Sequence, residues 1–266
     1  MDSLFTTNND KLYALGFRFG KRSVHTSRTM MLAELTTLLA ASSPSSTKDE
    51  YFQRIIDDNF LGKSTLTTRR LTAKRLTDLY SLDSGVCLFR ALRHFWFLDE
   101  QARPILALIA ALARDTLLRV SVEIILSAEH GGQLTSATTA AFLDAAWPDR
   151  FSRATITSLA QNINSTWTQA GYLSGKVRKH RIQPVITPTT VTYALFLAYL
   201  EGARAQRLFD SFWVRVLDLS KVKIHDLAIA ASHRGWLDYR RVGEVIDIRF
   251  PDLLTSQEEE LLREQT

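Results

Sequence analysis

The chain has 266 residues, of which 45% are hydrophobic and 23% are charged, and its formal net charge is +5. These values argue against disorder over the whole length and allow a substantial buried core, in one large domain or two ordinary ones. One cysteine, Cys87, excludes an internal disulfide framework and a thiolate zinc cluster, and it fits a reducing cytoplasm. The uncharged stretch 182–200 is broken by prolines and threonines, so we expect no membrane span and a cytoplasmic location.

Charge is unevenly distributed along the chain. Residues 251–266 contain five acidic side chains and one arginine, a net charge of −4, so positions 1–250 carry +9. A basic body of this kind favours a polyanionic partner such as nucleic acid. One N-terminal segment contains a cluster of cations, Arg18, Lys21, Arg22 and Arg28. We expect this segment to be a flexible arm that reaches along a phosphate backbone.

Helical periodicity dominates the N-terminal part of the chain. Apolar residues at spacings of three and four predict a helix that ends near Leu39, and the Ser/Pro-rich loop 42–47 follows it. Two more helices are predicted over 48–59 and 65–80. At 100° per residue, the 65–80 helix has an apolar face made of Leu66, Ala73, Leu76, Leu79 and Tyr80.

The opposite face of the 65–80 helix is basic and rich in threonine. Its side chains are Thr67, Arg70, Lys74 and Thr77, with Arg75 at the flank. Arg69 lies nearer the apolar face, where it could instead bind a helix-end carbonyl. Such a helix after two short ones is typical of a helix-turn-helix, in which cations contact phosphates and short polar side chains reach base edges. A solvated face of a helical bundle is the alternative.

The turn before this helix, Gly62-Lys63-Ser64-Thr65, looks like the end of a phosphate-binding P-loop. A P-loop requires another glycine five positions before Gly62 and a buried strand ahead of the loop. Asp57 occupies that position, and the residues around it are acidic with helical spacing. We therefore interpret the turn as a helix cap, in which Ser64 or Thr65 accepts from the first amides.

A second helix followed by a basic hairpin is predicted over 152–181. The polar face of the helix includes Gln161, Asn162 and Ser165, which are able to read base edges. The loop after Gly171 adds four cations, in a stretch without acidic residues: Lys176, Arg178, Lys179 and Arg181. This pattern predicts a winged helix whose wing tracks the phosphate backbone, with a merely basic surface loop as the alternative.

The segment 224–250 repeats the helix-then-hairpin order with mixed charge. Its arginines are offset by acidic residues that include Asp238, Glu244 and Asp247. We interpret this hairpin as one that completes the core or offers a surface to a partner. An acidic helix is predicted after it, over 255–264.

Signatures of catalysis and metal binding are missing from the sequence. It contains no HExxH, no G-x-S-x-G and no glycine-rich dinucleotide motif, and its six histidines are scattered. We expect no enzymatic activity, no cofactor and no metal.

Seven short stretches are informative as an ordered set. They are SRTMMLAEL from Ser27, NFLGKSTLTTRR from Asn59, ARDTLLR from Ala113, STWTQAG from Ser165, LFDSFW from Leu208, GWLDY from Gly235 and GEVIDI from Gly243. Together they resemble the BrxA family, a small component of bacterial BREX phage-defence systems. The resemblance implies a mostly helical, non-catalytic DNA-binding protein that works beside a DNA methyltransferase and other defence components. The family has also been likened to a helical RNA-binding antitermination factor, which keeps RNA as an alternative ligand.

The sequence therefore predicts a mainly α protein, a multi-helix bundle with helix-turn-helix or winged-helix-like units and one or two small β-hairpins. We expect an N-terminal helical part over 1–100, a second part over 101–187 that ends in the wing, and a C-terminal part over 188–266, the last two either separate or joined in one domain. The functional hypothesis is a double-stranded DNA-binding component of a BREX complex. A scaffold for other BREX components and an RNA-binding protein are the alternatives.

Overall fold

Helices make up most of the fold. The computed structural model describes residues 9–243 and 245–263. The α-helices are α1 Asn9–Leu15, α2 Leu32–Ala40, α3 Lys48–Ile56, α4 Leu66–Tyr80, α5 Cys87–Leu98, α6 Arg103–Leu112, α7 Thr116–Val120, α8 Val122–Ser127, α9 Ser136–Ala146, α10 Arg153–Gln169, α11 Pro188–Leu200, α12 Gln206–Phe209, α13 Phe212–Val216, α14 Lys221–Ser232 and α15 Ser256–Arg263. A 3-10 turn covers Val24–Thr26. The strands are β1 Gln133–Leu134, β2 Leu173–Ser174, β3 Lys179–Arg181, β4 Asp238–Val242 and β5 Val245–Arg249.

The strands form two small antiparallel sheets. In the first sheet β3 lies between β1 and β2, with Leu134 opposite Lys179 and Leu173 opposite Arg181. In the second, β4 pairs with β5 alone. The predicted mainly α fold with small hairpins is confirmed. Strand β1 was not predicted. It has two residues, too few to show the alternation of apolar and polar side chains that indicates a strand.

Local capping fixes the start of each helix near the basic surface. Thr65 accepts from the Thr68 amide at 3.1 Å at the start of α4, which confirms the predicted cap. Ser152 accepts from the Thr155 amide at 3.2 Å at the start of α10. Beyond the end of α10, Gly171 has a φ of +82°, which favours glycine and lets the chain turn into β2.

The central helices of the core are α6 and α11. Residues 105–112 are all buried, and α11 is buried except at Pro188 and Tyr199. A helix that is apolar on every side must be surrounded by other elements, and α11 contacts α5, α13 and α14. Buried residues form one continuous cluster from Leu12 to Leu262, so the elements that carry the basic surface rest on a shared core.

Two details of the predicted helices were wrong. Leu66, predicted on the apolar face of α4, is 47% exposed, because a helical wheel gives a direction without showing whether a neighbour lies there. Apolar spacing over 117–126 predicts a single helix, but these residues form two short helices, α7 and α8. They are separated at Ser121, whose hydroxyl donates to the Leu118 carbonyl at 2.6 Å and accepts from Trp167 at 2.8 Å.

Helix length bears on the membrane prediction. Among the residues that the structure describes, no helix is both long enough and apolar enough to cross a bilayer.

Candidate nucleic-acid interface

The exposed face of α4 presents cations to solvent. Thr67, Arg70 and Lys74 are exposed, and no hydrogen bond or ion pair within residues 9–243 and 245–263 engages the charged groups of Arg70 and Lys74. Arg75 is partly buried and lies 3.7 Å from Asp78. Arg69 donates to the Ile56 carbonyl at 3.2 Å, at the end of α3, which confirms that it binds a helix-end carbonyl.

The turn that looks like a P-loop satisfies its donors inside the chain. The amides of Gly62 and Lys63 both donate to Asn59, at 2.8 Å in each case. The Lys63 ammonium pairs with Glu34 at 3.0 Å. A phosphate cradle needs amides and a lysine that point at the ligand, so this turn serves to connect α3 to α4.

The N-terminal cationic segment is fixed to the body of the protein, contrary to the predicted flexible arm. His25 is fully buried, and its Nδ1 donates to the Asp115 carboxylate at 2.9 Å. Its Nε2 lies 2.9 Å from the Thr166 hydroxyl of α10. The Val24 amide and the Ser23 hydroxyl also donate to Asp115. Sequence spacing could not reveal this, because the three partners are far apart in the chain.

The order threonine, histidine and aspartate resembles a catalytic triad, but its surroundings are structural. Thr166 is fully buried and its oxygen accepts the Met30 amide at 2.9 Å, so it is not available to a substrate. Burial on its own would raise the pKa of Asp115, but His25 and the surrounding donors more than compensate and lower it below its usual value. The three side chains therefore attach segment 23–30 to α7 and α10.

The fixed segment brings two of the predicted basic units together. Lys21 and Arg22 line one cleft with Lys74 and Arg75 of α4, and the cleft has a volume of about 590 Å³. We call it the basic cleft. Both Lys21 and Arg22 are exposed, as the prediction of phosphate contacts requires. The 3-10 turn of the segment contacts α4 on one side and α10 on the other.

Some polar side chains of α10 contact the N-terminal segment and others are free of it. Gln161 is exposed, Ser165 is half-buried, and Asn162 donates to the His25 carbonyl at 2.9 Å. Asn162 is therefore partly committed to holding the segment. Gln169, further along the helix, donates to Thr29 at 3.2 Å. Gln161 and Ser165 are the predicted polar residues that stay available for a ligand.

The hairpin β2–β3 separates its four predicted cations into two groups. Lys176 and Arg178 are exposed at the tip, and Lys179 donates to the Thr168 hydroxyl of α10 at 2.7 Å. Arg181, in contrast, is 1% exposed and is bound to Asp218, with a further bond to the Ile125 carbonyl at 3.2 Å. Arg181 cannot contact a phosphate, because its guanidinium is buried and binds groups inside the protein. We correct the prediction by leaving it out of the interface.

Sequence reasoning missed two arginines near this surface. Arg114 lines the basic cleft beside Arg18 of the predicted N-terminal cluster, and the Arg150 guanidinium donates to the carbonyl of Lys21. Neither Arg114 nor Arg150 lies in a run of cations or on a predicted basic helix face. The one feature of the sequence that could have indicated Arg150 is the absence of acidic residues from 150–200, a range that includes it.

The C-terminal helix-and-hairpin unit has a different character. His225 of α14 stacks on Phe209 with a centroid distance of 4.1 Å, and its Nδ1 lies 2.8 Å from the Tyr239 hydroxyl of β4. The acidic helix α15 packs with Leu262 buried and with Glu258 bound to Arg90. Glu244 of the predicted hairpin and Glu264, the last residue of the predicted acidic helix, lie outside the described residues.

Across the part of the chain that the structure describes, no three His, Cys, Asp or Glu side chains converge as a metal site would require.

A comparison with protein families complements this geometry. The family model BrxA matches residues 22–196, which is more than half of the chain. This chain belongs to the BrxA family. As a BrxA-family protein it is a component of a BREX phage-defence system. No curated protein matches the chain.

The matched range coincides with the basic elements. The match begins at Arg22, includes α4, α10 and the hairpin β2–β3, and ends within α11. The stretches from Leu208, Gly235 and Gly243, which contributed to the resemblance in the sequence, lie beyond the match.

Proposed function

We propose that this BrxA-family protein binds double-stranded DNA as a non-catalytic component of the BREX system. The observation that supports this most strongly is the continuity of the polar surface. Segment 21–30 packs between α4 and α10, and the hairpin β2–β3 attaches to α10 through Lys179. The predicted basic units are thus joined by direct contacts. A duplex is a long polyanion, and a connected row of cations is what binds it.

The topology around α10 supports the same proposal. The chain runs from α8 through β1, α9 and α10 into β2 and β3, and β3 pairs with both other strands. This order of helices and strands is that of a winged helix, in which the helix before the hairpin is the recognition helix. In that role α10 would present Gln161 and Ser165 to base edges. Lys176 and Arg178 would follow the phosphate backbone from the wing.

Phosphate contacts from the exposed cations give the proposal a quantitative consequence. The cations are Lys21, Arg22, Arg70, Lys74, Lys176 and Arg178, with Arg75 and Lys179 beside them. If about five of them neutralise phosphates, the affinity for duplex should fall by roughly 10²–10³-fold between 50 and 200 mM salt. Fluorescence anisotropy of a labelled duplex, titrated at several salt concentrations, measures this slope.

The test needs one charge-reversal variant and one matched control. We expect Arg70→Glu with Lys74→Glu to lower duplex affinity by about tenfold or more and to flatten the salt slope by about two. The control is Lys223→Glu, an exposed cation on α14 outside the proposed surface. Absence of any salt-dependent binding by the unmodified protein would exclude the function itself. An unchanged affinity for the double variant would remove only α4 from the interface.

RNA is a second candidate ligand because its phosphate chemistry is the same. Competition of the labelled duplex with unlabelled DNA duplex and with structured RNA of equal length separates the two. We expect DNA to compete at least tenfold better, since an α-helix such as α10 enters the major groove of DNA and not the deep, narrow one of RNA.

The C-terminal hairpin favours a protein contact as an additional function. Val242 and Val245 are 81% and 73% exposed at its tip, and Val222 of α14 is 72% exposed. Exposed apolar side chains of this kind suit another BREX component more than DNA. Val242→Asp with Val245→Asp should reduce co-purification with the other BREX components and leave duplex binding intact. Unchanged co-purification would contradict this role.

A further inference from the structure

The basic cleft has a strong excess of positive charge. Arg18, Lys21 and Arg22 from the N-terminal segment face it together with Lys74 and Arg75 of α4 and with Arg114 after α6. Two carboxylates share the lining, Asp78 and Asp115. Asp115 is fully occupied by His25, Ser23 and backbone amides. One carboxylate therefore remains against six cations.

The cations of the cleft are crowded and incompletely satisfied. Burial, followed by the positive charge of Arg18, lowers the pKa of Arg114 to about 10, although Arg114 stays protonated at neutral pH. The Nε of Arg75 is buried without a hydrogen-bond acceptor among the described residues, and its guanidinium is 3.7 Å from Asp78. The charged ends of Lys21, Arg22 and Lys74 have no partner in residues 9–243 and 245–263. An anion placed in the cleft would relieve the repulsion between these cations.

The size and walls of the cleft restrict what the anion can be. A volume of about 590 Å³ lies in the range of small-ligand sites and is far too small for a duplex. Tyr13, on the wall, is 37% exposed, and Phe19 packs against its ring edge-on at 5.7 Å. A supported aromatic ring beside several cations suits a ligand that has both a flat base and phosphates.

We propose that the basic cleft binds a nucleotide through a phosphate group that carries more than one negative charge. Guanidinium groups recognise phosphate oxygens in pairs, and two elements contribute guanidiniums to the lining, the N-terminal segment through Arg22 and α4 through Arg75. A phosphodiester inside a strand carries a single negative charge, so it would leave most of the positive charge of the cleft without a counter-charge. Two sources share the required chemistry: a free nucleoside polyphosphate and the 5′-phosphate at the end of a single strand. This site does not require duplex binding, although three of its cations, Lys21, Arg22 and Lys74, also belong to the proposed duplex surface.

Binding of a fluorescent nucleotide tests the proposal directly. ATP labelled with an N-methylanthraniloyl group is titrated with the full chain in the absence of DNA, and we expect saturable binding that tripolyphosphate reverses. Arg22→Glu with Lys74→Glu reverses one cation from the N-terminal segment and one from α4, and it should weaken binding at least tenfold. Lys223→Glu should leave binding unchanged. Melting curves followed by circular dichroism establish that each variant folds.

Competition then identifies the source of the phosphate. A short single strand with a 5′-phosphate is compared with the same strand bearing a 5′-hydroxyl and with unlabelled ATP. Preferential competition by the 5′-phosphorylated strand indicates a strand end, and preferential competition by ATP indicates a free nucleotide; both support the site. Absence of saturable binding to the labelled ATP and to the 5′-phosphorylated strand would overturn it, as would equal binding by the folded double variant. Binding of a closed circular duplex, which has no ends, reports separately on the proposed duplex function.

Discussion

Two units of the molecule, α10 with β2 and β3 and α14 with β4 and β5, share the same order of helix and hairpin but differ in charge. Residues 152–181 contain five basic side chains and no acidic ones, whereas 224–250 contain four of each. The first hairpin is also extended by β1 into a three-stranded sheet, and the second is a lone pair of strands. The family match includes the first unit and ends before the second.

The comparison shows that a helix followed by a hairpin does not identify a nucleic-acid surface without its charge and its neighbours. Segment 21–30 packs on α10 through its 3-10 turn and brings two cations, Lys21 and Arg22, beside the cations of α4. The α14 unit instead uses an aromatic group, in which Phe209 and Tyr239 lie against His225. We expect the first unit to respond to charge reversal in DNA binding and the second to respond in stability or protein contacts.

The largest effect is expected from the buried arginine of the first hairpin. Arg181→Ala removes the buried guanidinium bound to Asp218, which keeps its contact with the exposed His130, and removes the cation above the Tyr172 ring. Unfolding should therefore become easier by roughly 3 kcal/mol. The melting temperature should fall by about 10 °C. The matched change in the second hairpin, Arg249→Ala, breaks only an exposed pair with Asp247 and should cost less than about 0.5 kcal/mol. Equal effects of the two changes would contradict the structural role assigned to Arg181.

Next in size is the effect of the exposed wing cations on DNA binding. Lys176→Glu with Arg178→Glu should reduce duplex affinity on the order of 10²-fold at moderate salt, because two attractive contacts become repulsive. The matched pair in the second hairpin, Arg240→Glu with Arg241→Glu, should change the affinity by less than about twofold. Anisotropy titrations under one buffer condition compare them. A larger loss from the second pair would reverse the assignment of the two units.

The smallest effect concerns the pH response of the second unit. Burial, and then the positive charge of Arg241, lowers the pKa of His225 below its usual value. The folded state therefore binds the proton more weakly than the unfolded state, so stability present above about pH 6.5 is lost as the pH falls. Between pH 7.5 and 5.5 we expect His225→Gln to lose a few degrees less in melting temperature than the unmodified protein. Identical slopes would show that His225 does not contribute.

Much of the fold could be predicted from the sequence because it depends on local patterns. The helix α4, its cap at Thr65 and the inward position of Arg69 follow from spacing within one helix. The cations exposed on α4 and at the tip of the wing also follow from such local patterns. The P-loop was rejected because Asp57 replaces the required glycine and the residues before the turn have helical spacing, and the donors of that turn are indeed used within the chain.

What the sequence could not provide are contacts between distant segments. The contacts of His25 with Asp115 and Thr166 fix the N-terminal segment, which the sequence predicted to be a flexible arm. Arg181 lies in a basic run like its neighbours, and only the position of Asp218 shows that it is internal. The basic cleft combines residues of three separate elements. Such pairings depend on tertiary packing, whereas periodicity and composition indicate only local structure.

Lysine footprinting tests the central claim, a continuous duplex-binding surface on the first unit, α4 and segment 21–30, most directly. The full chain is acetylated briefly with and without excess duplex, and the modification of each lysine is read by mass spectrometry. We expect the duplex to protect Lys21, Lys74 and Lys176 and to leave the modification of Lys48 and Lys223 unchanged. Protection confined to Lys221 and Lys223, or equal modification of every lysine with and without saturating duplex, would contradict this claim.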